Sequence, residues 1–92
     1  MKHAGAEALK RLGPFLAELR KRDGLKEKSP GTFYRGSRAF LHFHEHEGGF
    51  VADVRLKGDA FDRMPASSKA QREILLGLID KSLADGNKKA RR

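Results

Sequence analysis

Ninety-two residues suffice for one domain, whose core must be a single layer of sheet packed on a few helices. With 35% of the chain charged, its large apolar residues must sit at periodic positions, and the absence of cysteine excludes disulfides, cysteine-ligated zinc and thiol catalysis. The net charge of +8 favours acidic partners, although Lys88, Lys89, Arg91 and Arg92 supply four of these charges and leave +4 for the remainder.

The opening Met1-Lys2-His3-Ala4-Gly5-Ala6 leads into a helix and lacks the apolar run of a signal peptide. Nothing approaches the roughly 20 apolar residues that span a bilayer, so a soluble cytoplasmic protein with no membrane partner is expected. From Ala6 to Arg22, the residues Leu9, Leu12, Leu16 and Leu19 recur at helical spacing. Gly13-Pro14 interrupts them, because proline clashes with the carbonyl four residues back. One bent helix is predicted, stopped by Asp23-Gly24 with Arg20, Lys21 and Arg22 complementing its dipole.

Leu25 to Ser29 is a candidate edge strand, followed by a turn at Pro30-Gly31. Strands are predicted over Thr32 to Arg35, Arg38 to Glu45 and Phe50 to Leu56, joined by tight turns at Gly36-Ser37 and Gly48-Gly49. A two-residue Gly48-Gly49 turn would set Phe43 opposite Val54, Leu41 opposite Leu56, His44 opposite Asp53 and His42 opposite Arg55. Tyr34, Ala39, Leu41, Phe43, Ala52, Val54 and Leu56 then share the core face. The other face carries Phe33, Arg35, Arg38, Phe40, His42, His44, Val51, Asp53 and Arg55.

Ala60 to Pro65 is expected to cross the end of the sheet, anchored by Phe61 and Met64. Ser68-Lys69-Ala70-Gln71 has the spacing of a capping box and opens a second helix through Ile74, Leu75, Leu78, Ile79 and Leu83, ended by Asp85-Gly86. The predicted fold is an α+β two-layer sandwich. Its three- or four-stranded antiparallel sheet is flanked by a kinked N-terminal helix and a C-terminal helix, both on the Leu41/Phe43 face. Residues 1–86 form the single domain and residues 87–92 a basic disordered tail.

The run His42-Phe43-His44-Glu45-His46 carries most of the chemistry, since a strand points alternate side chains to one face. His42 and His44 would stand roughly 6.5 to 7 Å apart at their Cα atoms, a spacing two ligands of one zinc ion can meet, with Asp53 or His46 completing the set. The same face offers Arg35, Arg38, His42 and Arg55 to phosphates, and Phe33 and Phe40 to stack on bases. A solvated, ion-paired face would need neither ligand. For catalysis, His44 opposite Asp53 would be an oriented base, yet the register sets no serine or second acid beside it. The leading expectation is a non-catalytic nucleic-acid-binding module without a cofactor. The alternatives are a histidine-based zinc site and a protein-interaction or homodimer surface.

The segments Pro30-Gly31-Thr32-Phe33-Tyr34-Arg35, Ala39-Phe40-Leu41-His42-Phe43-His44-Glu45 and Ala52-Asp53-Val54-Arg55-Leu56 resemble a group of small bacterial proteins sharing an F-Y-R…F-L-H-F-H-E…A-D-V-R-L pattern. The resemblance covers about residues 12 to 80 and implies a stand-alone bacterial domain with no assigned activity. In element order the chain is also similar to the MmcQ/YjbR group of frataxin-like fold, for which DNA binding has been suggested; that similarity is one of topology.

Overall fold

Leucines at helical spacing and aromatic residues at strand spacing sort into two layers in a computed structural model, which describes the backbone of residues 2–90 and the side chains of residues 4–85. The order is β1 (Lys2–His3), α1 (Ala6–Arg11), α2 (Gly13–Arg20), β2 (Lys26–Ser29), β3 (Thr32–Arg35), β4 (Arg38–His46), β5 (Gly49–Val54), β6 (Asp62–Pro65) and α3 (Lys69–Ala90). Strands β2 to β6 form an antiparallel meander in chain order. Because β4 outruns β3, its far half remains open on that edge, and β1 pairs there with Glu45 and His44. The α+β architecture is as expected, but the sheet is larger than three or four strands: the segments expected to lead into the first helix and to cross the sheet end form β1 and β6.

The N-terminal leucine stripe is divided between two short helices that meet at Leu12. Pro14 falls in the first turn of α2, where its missing N–H costs nothing. Leu12, Leu16 and Leu19 are fully or almost fully buried. Phe15 meets the Phe43 ring edge-on at 5.8 Å, which fixes α2 on the Phe43 face of the sheet. α3 lies beside it: Arg22 makes two hydrogen bonds to the Asp80 carboxylate (3.0 and 3.1 Å), while Leu75 and Ile79 enter the same core. The capping box forms as predicted, with the Ser68 Oγ accepting from Gln71 N and the Gln71 Oε1 accepting from Ser68 N, both at 3.1 Å. α3 continues through Asp85-Gly86 to Ala90, past the expected stop. One glycine costs a helix about 1 kcal/mol relative to alanine and need not end it. Residues 87–90 of the expected tail are thus helical in backbone, and Arg91 and Arg92 lie outside the described residues.

Two corrections concern the register. The β4–β5 turn is Glu47-Gly48, with φ of 49° and 79°, rather than Gly48-Gly49. Positive φ at both central positions is the two-residue hairpin geometry that matches strand twist. Gly49 lies in the strand, where the Ser67 Oγ leaves no room for a Cβ; that Oγ accepts from Phe50 N and donates to Phe50 O. Pairing therefore slips by two residues, to Leu41 with Val54, His42 with Asp53, Phe43 with Ala52 and His44 with Val51. An even slip preserves the faces.

The second correction does not preserve them. Phe33 pairs with Leu41 but Tyr34 pairs with Ala39, so Phe40 is an extra residue on β4. This bulge turns Phe33 into the core and buries Phe40, leaving them 0% and 2% exposed. Tyr34, assigned to the core from sequence, is only half-buried, and the Lys28 ammonium lies over its ring at 4.5 Å.

Candidate metal centre

Opposite the helices, strand alternation brings three ligating side chains together. His42 and His44 project from the same side of β4, and Asp53 rises from β5 directly across from His42. The Asp53 Oδ2 lies 3.2 Å from His42 Nε2 and 2.9 Å from His44 Nε2. The imidazoles stand edge-to-face with centroids 4.9 Å apart. One ligand atom from each of the three residues can be chosen so that all lie within 4.8 Å of one another. The side chains are 22%, 13% and 12% exposed, so the cluster is largely desolvated.

Two neighbours shape the site. Arg63 on β6 is the cross-strand partner of Asp53 and donates from Nε to Oδ1 (2.9 Å) and from Nη2 to Oδ2 (3.2 Å). This fork holds the Asp53 carboxyl below the ordinary carboxylate range; burial opposes it, and the charges of Arg63, His44 and His42 add to it. Asp53 is therefore a carboxylate when the imidazoles are neutral, the state a metal requires. Phe61, just before β6, closes one end, its ring 5.2 Å from that of His42 and 4.3 Å from the Arg55 guanidinium carbon.

The candidate residues read from sequence separate into two groups. His42, His44 and Asp53 converge, whereas His46 pairs with Gly49 beside the turn, is exposed and stays outside the convergent group. Phe33 and Phe40 lie in the core, so neither offers a ring for base stacking. Arg35, Arg38 and Arg55 do gather, but at the other end of β4, around a separate cleft. Arg63 is not recognisable as part of the site from sequence, and Phe61 is expected only as an anchor of a crossing segment, because a four-residue edge strand ending at Pro65 has a weak signature. The signal available was a hairpin return: Arg63 faces Asp53 if residues 55–61 reverse the chain.

No protein-family model matches this chain, and neither does any curated protein or solved structure. Among the described residues, no helix is long and apolar enough to cross a membrane.

Proposed function

We propose that this domain binds a divalent transition metal, zinc foremost, through His42, His44 and Asp53. One observation carries the reading: both Nε2 atoms point at a single carboxylate oxygen, at 2.9 and 3.2 Å. Ligand atoms around a tetrahedral zinc with bonds of about 2.0–2.1 Å stand about 3.3 Å apart; the two nitrogen–oxygen separations are close to this, and the set as a whole lies within 4.8 Å, so side-chain rotation would draw the three onto one ion. Two imidazoles and a carboxylate suit zinc and its first-row neighbours and fit calcium or magnesium poorly. Three protein ligands leave one position for water or an outside ligand. With Arg63 bonded to both oxygens of Asp53, a dication gives the centre a net positive charge, which favours an anionic fourth ligand.

The base-stacking interface expected from sequence has less support, since both of its phenylalanines are core residues. Calorimetric titration of zinc into the untagged protein tests the metal reading. One equivalent should bind to the wild type, and His42→Ala and His44→Ala should each weaken binding by about tenfold or more. Equal affinity in folded wild type and variants would overturn it.

A further inference from the structure

The β3–β4 hairpin sets two arginines directly opposite each other, Arg35 across from Arg38, next to its Gly36-Ser37 turn. Like charges in that relation are destabilising, and a third cation, Arg55, approaches from just past the end of β5. The three line one cleft together with Ala39, Phe40, Leu56 and Gly58. The charge is poorly compensated from within. Arg38 pairs with Asp59 at 2.7 Å, but Asp59 is 91% exposed and sits on a loop. Arg35 has no carboxylate partner among the described residues: it donates to the Oγ and carbonyl oxygen of Ser82, at 3.4 and 3.3 Å, and its guanidinium lies 5.9 Å from the centre of the Phe40 ring. Among the described residues Arg55 has no carboxylate partner; its guanidinium stacks on Phe61, and its buried Nε–H has no acceptor.

We propose that this cleft binds a phosphate group. Guanidinium forks match tetrahedral oxyanions with paired, charge-assisted hydrogen bonds. An anion here would relieve the Arg35–Arg38 repulsion and give the Arg55 guanidinium a counter-charge, which no carboxylate among the described residues supplies. The cleft is small, with a volume of about 110 Å³. That admits one phosphoryl group, and whatever is attached to it would lie outside the cleft, so the phosphate is free, a monoester, or one unit of a nucleic-acid backbone. The site is separate from the histidine centre and does not need the metal.

The test uses the full chain, stripped of metal on a chelating resin so that phosphate cannot report on a bound ion. Inorganic phosphate, glycerol phosphate and a short single-stranded oligonucleotide are titrated at low salt while backbone amides are followed by NMR. Saturable shifts confined to residues 35–40 and 55–58 are expected. Arg38→Gln and Arg55→Gln should each weaken phosphate binding by about tenfold, and His44→Ala should leave it unchanged. Arg38 is exposed, so its variant reports even if Arg55→Gln disturbs the fold. Equal or tighter binding of the small phosphates identifies a small ligand, and much tighter oligonucleotide binding through the same residues identifies nucleic acid. Shifts that do not saturate or that spread over the basic surface would overturn the proposal, as would unchanged affinity in Arg38→Gln.

Discussion

The Nε2 of His44 lies 2.9 Å from the Oδ2 of Asp53, although the two residues are not cross-strand partners: His44 faces Val51, and Asp53 faces His42. The diagonal contact is what makes Asp53 a shared partner. A carboxylate directly opposite one histidine and diagonal to the next can reach both only if the three lie on one face, as the even register slip ensures.

Zinc affinity should fall steeply in acid. Each coordinated imidazole must be neutral, so protons compete for both histidines and the steepest loss is about a hundredfold per pH unit. Asp53 does not set this limit, because Arg63 holds its carboxyl low and it remains ionised. Zinc titrations from pH 5 to pH 8 check this, and an affinity independent of pH would contradict it.

Asp53→Asn should change the acid stability of the metal-free fold. A carboxyl whose folded-state pKa is depressed adds stability that is fully present above its unfolded-state value, about 3.9, and is lost as pH falls through the lower folded value. The variant should be less stable at neutral pH by roughly 1–3 kcal/mol, reduced by solvent screening of the half-exposed Arg63. The gap should narrow below about pH 4. Urea unfolding at pH 7 and pH 3 compares the two proteins; a constant gap would show that the depressed carboxyl is not its source.

Arg63→Gln should tighten zinc binding, on the order of tenfold at low salt, because Arg63 occupies the same Oδ2 that would ligate and adds a like charge beside the ion. The gain should shrink as salt is raised. Weaker binding in this variant would mean that Arg63 chiefly orients Asp53.

Phe33→Ala should destabilise the fold by about 3–5 kcal/mol, a large part of the roughly 5–14 kcal/mol expected for a domain of this length. Its ring is fully buried beside Leu41. Chemical denaturation measures the loss, and a change below about 1 kcal/mol would place Phe33 on the surface the sequence suggested.

The helices and the histidine face were legible because each rests on a simple period: leucines at three and four residues, imidazoles at two. The Ser68/Gln71 cap was equally readable, since its chemistry is local. The bulge at Phe40 was not. An added strand residue carries no marker in sequence, yet it reversed the environment of Phe33 and buried both candidate stacking rings. The slipped β4–β5 pairing goes with a turn at Glu47-Gly48 and sets Gly49 in the strand beside Ser67, 18 residues along the chain, a neighbour that sequence does not announce. Arg63 was hidden for the same reason, because its role appears only when β6 returns alongside β5.

The central claim is best tested by long-range ¹H–¹⁵N spectra of the four histidine side chains, recorded at neutral pH as one equivalent of zinc is added. His42 and His44 should both shift to the pattern of Nε2-coordinated imidazole, while His3 and His46 keep theirs. A response from His3 or His46, or none from His42 and His44, would contradict a metal centre at Asp53.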